Sequence, residues 1–277
     1  MKKMVTPQSA LLTLLSILIF SGCNKIDWED YYHPDKTPKY CSIKKIKSYR
    51  EYEVDTLVWQ FNYNNKGNPT DIQLSSVSTA RPEFYFYYDK QHRLTDFVGA
   101  YDNGYYEIWH KYAYEGNRIV RDSVRFFGSF VNGKPLPDDT YVFNRRVLYF
   151  EYDAYERIKK TTEIFYTNPY NVPPNIEEFT YNAAGNLSHY KKYLLNSYSL
   201  EDTVYHNYDN QVNIHRTNKI WMFIDRNYSI NNNVAGPTNY SSYGLPIKMR
   251  SNLPYNGYRF LYSERDIADS DIEYNCK

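Results

Sequence analysis

Apolar side chains fall on alternate positions through most of the chain, and a large share of them are aromatic. Leu57, Trp59, Phe61 and Tyr63 are spaced two apart, as are Phe84, Phe86 and Tyr88, and Leu148, Phe150 and Tyr152. Residues two apart share one face of a β-strand. The intervening positions are often apolar too, as with Tyr85 and Tyr87 or Val147 and Tyr149. Tyr106, Ile108, His110, Tyr112 and Tyr114 are expected on one face, with Glu107, Trp109 and Lys111 on the other. Aromatics on both faces predict a barrel with a filled or amphipathic lumen, or a sheet covered on two sides. No stretch between 41 and 277 shows a helical period, so every connection reads as a hairpin.

One short pattern recurs between these runs. Phe179-Thr-Tyr181-Asn182-Ala-Ala-Gly185-Asn186-Leu187 reads strand, tight turn, strand. Asn182 suits the first turn position, where its side chain bonds the backbone ahead of it. Gly185 suits a position of positive φ. Close variants surround Tyr63, Tyr88, Tyr114, Tyr152, Tyr208 and Tyr240, 25 to 38 residues apart. His92 and Glu156 stand where three copies carry Gly67, Gly185 and Gly244, and histidine tolerates the left-handed conformation. Asn103-Gly104 and Asn132-Gly133 read as two-residue hairpin loops.

The pattern predicts an all-β fold: an antiparallel up-and-down meander of roughly 14–18 strands rolled into a barrel-like sheet. Rolling protects the edges of a long meander. An open or solenoidal single sheet is the alternative. The motif resembles the YD repeat of Rhs-type proteins over roughly residues 54–263. It is more similar still to secreted Bacteroidota lipoproteins, among them an uncharacterised family described as porin-like in fold. The resemblance implies antiparallel β architecture and carries no activity with it. The chain departs from the pattern in filling the turn position with glycine in only three copies.

The N-terminus has a different character. Lys2-Lys3, the apolar run Leu11–Phe20 and then Ser21-Gly22-Cys23 follow the order of a secretory signal. Ten apolar residues are too few for a spanning helix, which needs about 20. Ser21-Gly22-Cys23 resembles a lipobox, in which the cysteine is acylated. The expected division is a signal peptide over 1–22, a tether over 23–40 and a single β domain over 41–277. Each buried methylene of an acyl chain at Cys23 would contribute about 0.8 kcal/mol, so the membrane is an expected partner through a lipid anchor. Asp27, Glu29 and Asp30 resemble a surface-export signal of such lipoproteins, and equally read as a solvated tether. The expected location is the outer membrane or cell surface.

Composition narrows the function classes. Lys and Arg total 33 against 32 for Asp and Glu, and no basic stripe interleaves with aromatics, so nucleic acid is not an expected partner. Charges on either strand face, such as Arg121-Asp122 and Arg145-Arg146, argue against a lipid-facing apolar band. The sequence has no HExxH, GxSxG, P-loop or CxxC. His206 and Asp209 are the nearest approach to a catalytic pair. Glu177-Glu178 and Asp138-Asp139 fall on opposite faces of a strand and so cannot converge as an acid/base pair; they read as solvated edges. No enzyme, metal or cofactor is expected.

What remains is a set of binding and covalent expectations. Cys41 and Cys276 bracket the β region, and in an exported protein they are candidates for a disulfide. Asp55-Thr56-Leu57, Asp122-Ser123-Val124 and Asp202-Thr203-Val204 are similar to the acceptor sequence for O-glycosylation in exported Bacteroidota proteins, which marks Thr56, Ser123 and Thr203. Asp-Thr/Ser starting a strand is the plainer reading. Trp59, Trp109 and Trp221 are candidate stacking platforms for a glycan. The leading expectation is a non-catalytic binding module of the cell envelope, for glycan; the alternative is a structural or protein-interaction subunit of an envelope assembly.

Overall fold

The computed structural model describes residues 41–49, 56–101, 103–137, 145–165, 171–194, 199–233, 237–249, 260–261 and 269–276. The expected signal peptide over 1–22, Cys23, the expected tether over 23–40, Asp55 and Asp138-Asp139 lie outside the described residues.

The fold is nearly all β. Thirteen strands run in order: β1 (Cys41–Tyr49), β2 (Leu57–Tyr63), β3 (Pro69–Leu74), β4 (Glu83–Tyr88), β5 (Leu94–Ala100), β6 (Tyr105–Glu115), β7 (Arg118–Val131), β8 (Lys134–Pro137), β9 (Arg145–Tyr152), β10 (Ile158–Phe165), β11 (Asn175–Tyr181), β12 (Leu187–Leu194) and β13 (Ser199–Val204). Then come β14 (Tyr208–Val212), a 3-10 turn (Ile214–Thr217), helix α1 (Lys219–Ile224), β15 (Asn231–Asn233), β16 (Pro237–Tyr240), β17 (Pro246–Met249) and β18 (Asp269–Cys276). Sixteen strands form one antiparallel sheet whose order runs from β13 down to β1 and on through β18 and β17 to β16, with β8 paired to β7 alone. The meander is therefore present, but among the described residues the sheet is not closed. Among those residues, strands β14 and β15 pair only with each other. A disulfide joins Cys41 to Cys276, the facing ends of β1 and β18.

In most of its copies the recurrent motif builds one local structure. Asn64 Oδ1 accepts from the backbone N–H groups of Lys66 and Asn68; Asp89 does so from Gln91 and Arg93, and Asp153 from Tyr155 and Arg157. These bonds fix a type I turn that ends on a left-handed residue. His92 and Glu156 adopt that conformation with φ of 59° and 61°, as Gly67, Gly185 and Gly244 do elsewhere. One extra residue then bulges the returning strand. Tyr63 faces Pro69, Tyr88 faces Leu94, Tyr114 faces Ile119, Tyr152 faces Ile158, Tyr181 faces Leu187 and Tyr240 faces Pro246.

The motif tyrosines also link one hairpin to the next. Tyr88 Oη donates to the carbonyl of Pro69 at 2.7 Å, Tyr114 to Leu94 at 2.9 Å, Tyr152 to Ile119 at 2.7 Å and Tyr208 to Leu187. Each acceptor is the residue just before the bulge of the previous hairpin, where the ladder is disrupted. Arginines reinforce the link, with Arg93 lying 4.6 Å from the Tyr114 ring centre and Arg157 4.2 Å from that of Tyr181. Tyr274 makes the same bond to Pro246 at 2.6 Å. Ile272-Glu-Tyr274-Asn275 is thus a further, truncated copy of the motif. Tyr181 departs from the series and donates at 3.4 Å to Arg226, beyond α1.

Three expectations need correction. A helix exists: Asn218 caps it by accepting from Ile220 N–H at 2.9 Å, and its amide also donates to the Gly67 carbonyl at 2.9 Å. Six residues, apolar on nearly every side, are too short to display a period. Second, Asn103-Gly104 belongs to a longer turn: Tyr101 N–H bonds Tyr105 O at 2.8 Å, and Gly104 has positive φ while Asn103 does not. Asn132-Gly133 is the two-residue loop, positive at both positions. Third, a bulge of β6 against β5 shifts Tyr106 opposite Ala100 while Trp109 stays opposite Val98. Tyr106 thereby leaves the face of Ile108 and His110 and joins Trp109.

The sheet is consequently covered on both faces. The large inner cluster contains Ile43, Phe61, Ile72, Phe86, Phe97, Tyr112, Phe150 and Ile158, with α1 packed upon them. Trp221 meets Phe61 and Phe86 edge-on at 5.8 and 5.5 Å, and Phe223 lies 5.3 Å from both Tyr112 and Phe150. The outer cluster is small: Val98, Ala100, Tyr106 and Trp109, flanked by Tyr85, Tyr87 and Phe130.

Candidate functional site

Cross-strand register gathers polar side chains on the inner face beyond α1. His110 faces Val124, Val124 faces Arg146, and Arg146 faces Phe165. The next row runs through Asp122, Leu148, Glu163 and Asn175, and the next through Thr161, Glu177 and Lys192. Opposed residues share a face, so these rows place charged groups together inside the sheet. A cavity of about 190 Å³ lies over them, lined by His110, Arg146, Glu163, Asn175, Glu177, Lys192 and Arg226 among others.

Most of the charges are paired. Arg226 bonds Glu177, whose oxygens also accept from Thr161 Oγ1 at 2.9 Å and Tyr190 Oη at 3.0 Å. Burial pushes the Glu177 carboxyl up, but Arg226, Lys192 and the two hydroxyls outweigh burial and hold it below the usual carboxylate range. Glu163 accepts from Arg146 at 3.2 Å and from Asn175 Nδ2 at 2.9 Å. The Arg146 guanidinium also lies 5.0 and 5.4 Å from the Phe126 and Phe165 ring centres. His110 Nδ1 meets Asp122 Oδ2 at 2.6 Å.

Three buried polar atoms in and beside this wall have no hydrogen-bond partner: Arg146 Nε, Asn175 Oδ1 and Asp122 Oδ1. Buried polar atoms are normally satisfied, and exceptions cluster where something else binds. No group of three or more metal-ligating side chains occurs among the described residues.

The residues singled out from sequence are distributed otherwise. Trp221 is fully buried in the inner core and Trp109 is 7% exposed, so neither is a stacking platform. Trp109 Nε1 donates to Asp96 at 2.8 Å, while Lys111 and Arg125 lie over its ring. Trp59 is half-buried, stacks on Phe84 at 6.1 Å and packs against the inner cluster. Large aromatics in a two-sided sheet find more area to bury in neighbouring strands than in solvent. Ser123 lies on β7 between Asp122 and Val124, both buried on the inner face, and is itself partly exposed. Thr203 lies on β13, and Thr56 just before β2 is exposed. His206 and Asp209 do not form a pair: Asp209 serves Gln211 N–H, Asn232 and the Tyr240 hydroxyl. Glu177 is the reverse of a solvated edge, and its ion partner 49 residues away in Arg226 leaves no local signal.

No protein-family model and no curated protein sequence matches the chain. Among solved structures, a porin-like protein from Bacteroides uniformis ATCC 8492 is similar with a TM-score of 0.46 at 12% identity, over 87% of this chain and 99% of that one. The crystal structure of TcdB2-TccC3 is similar with a TM-score of 0.24 at 10% identity, over 75% of this chain. This chain spans 13% of that chain's length.

Proposed function

We propose that the chain is a cell-envelope lipoprotein whose β domain is a non-catalytic binding module, with the inner-face cavity as its site and a carbohydrate as its ligand. The observation that carries the reading is the unpartnered donor and acceptor, Arg146 Nε and Asn175 Oδ1, at the wall of a cavity with room for one small ring. A cavity of about 150 Å³ holds benzene; 190 Å³ suits a single six-membered sugar with its hydroxyls. Hydroxyls donate and accept at once, which matches Arg146 Nε beside Asn175 Oδ1. The segment ending in Cys23 supports acylation there and a place at the outer membrane or cell surface.

The test is native mass spectrometry of the protein purified from its own membrane. A lipidated chain with an added non-covalent sugar mass, lost in Asn175→Ala, is the expected result. A bare lipidated chain with no sugar affinity in titrations would overturn it. A second reading, a protein-interaction subunit, has one observation in its favour: Tyr105, Val131 and Leu136 on the β6–β7–β8 extension are each half or more exposed.

A further inference from the structure

The proposed carbohydrate site, on which this step rests, has a third polar group at its wall. His110 Nδ1 meets Asp122 Oδ2 at 2.6 Å. The imidazole is held beside Phe97 and Tyr112, whose ring centres lie 5.5 and 6.3 Å away. It lines the cavity with its side chain 13% exposed, and Nε2 makes no hydrogen bond to the described residues. A carboxylate only accepts, so a neutral imidazole paired to it carries its proton on Nδ1 and leaves Nε2 an acceptor. His110 and Arg146 both face Val124 in register, so their backbones stand two strand spacings apart, about 10 Å. Val124, itself buried, forms an apolar floor between them.

Charge selects against an ionic ligand. Asp122, Glu163 and Glu177 match Arg146, Arg226 and Lys192 in number. Lys192 acts on Glu177 and faces Glu201 of β13 in register. A charged ligand would enter without a free counter-ion, which is costly away from bulk water. We infer that the cavity takes a neutral hexose and that His110 binds it. Nε2 accepts from one ring hydroxyl, Arg146 Nε and Asn175 Oδ1 pair with others, and the apolar face of the sugar lies over Val124. Asp122 is the positioning residue, which fixes both the imidazole and its proton.

The experiment uses the full chain in detergent at pH 8, with isotope-labelled histidine nitrogens and D-glucose, D-galactose and D-mannose as probes. The His110 signal is identified by its loss in His110→Phe. Nitrogen NMR should find Nε2 unprotonated in the free protein, and at least one sugar should shift that signal at saturation. Calorimetry should show affinity for that sugar falling tenfold or more in His110→Phe, with circular dichroism as the check of folding. In Asp122→Asn, whose amide can donate to Nδ1, the proton should move to Nε2. A bound sugar that leaves the His110 signal unmoved, affinity kept in His110→Phe, or a proton on Nε2 in the free protein overturns the role of His110 and leaves the carbohydrate reading standing. Nε2 still unprotonated in Asp122→Asn overturns the positioning role of Asp122. No affinity of the unaltered chain for any of the three sugars overturns both the role of His110 and the carbohydrate reading.

Discussion

The hydroxyl of Tyr114 donates to the carbonyl of Leu94 at 2.9 Å, reaching from one hairpin to the bulge of the one before it. Burial pushes the Tyr114 phenol up to about 12. The same relationship holds at Tyr88, Tyr152, Tyr208 and Tyr274. A motif that sets a turn locally therefore also fastens neighbouring turns together.

Tyr114→Phe keeps the ring under Arg93 and removes only that bond. It should cost about 1–3 kcal/mol, because a half-buried carbonyl loses its donor. Urea denaturation is the measurement. Tyr243→Phe is the control, since Tyr243 is exposed in its turn, and it should change little.

Much of this was legible beforehand. Aromatic-x-Tyr followed by Asn or Asp marks strand and turn, and the left-handed residue is correctly located even where it is His92 or Glu156. Tyr274-Asn275 carried the same signal in truncated form. What sequence could not display depends on distance. The β6 bulge that turns Tyr106 outward arises from pairing with β5, and Glu177 becomes buried only because Arg226 arrives from another element. Helix α1 is stabilised by burial inside the sheet, which overrides the strand-like look of Ile-Trp-Met-Phe-Ile. The cavity escaped for a related reason: its residues are polar members of several strands, and only the cross-strand register brings them to one place.

The Glu177–Arg226 pair gives the acid response. Its folded pKa is depressed, so its contribution to stability is present above the unfolded carboxyl value of about 4.3 and is lost as pH falls below that. Denaturant midpoints measured from pH 6 down to pH 3 should drop. Glu177→Gln leaves Arg226 buried without its counter-charge and should cost about 3–5 kcal/mol at neutral pH. Glu177→Gln with Arg226→Met should recover most of that loss.

Trp221 is the anchor of α1 on the sheet, in ring contact with Phe61, Phe86 and Phe260. Trp221→Ala should cost about 3–5 kcal/mol, as expected for emptying so large a site. Thermal unfolding measures it. Because α1 lies inside the sheet, the melting of helix and strands should shift together.

The disulfide spans 235 residues of sequence. On the chain-entropy account, replacing Cys41 and Cys276 with Ala should cost up to about 5 kcal/mol. Peptide mapping without reductant, which should recover the cross-linked pair, accompanies the denaturation series.

Strand β1 pairs along its whole length with β18, so the first strand of the domain acquires its second neighbour only from the last eight residues before Lys277. A chain that emerges N-terminus first holds an open strand edge for nearly its entire passage. Such edges recruit foreign strands, and pairings this remote in sequence form slowly. The domain therefore has no complete partial fold to rest in until Cys276 has been made.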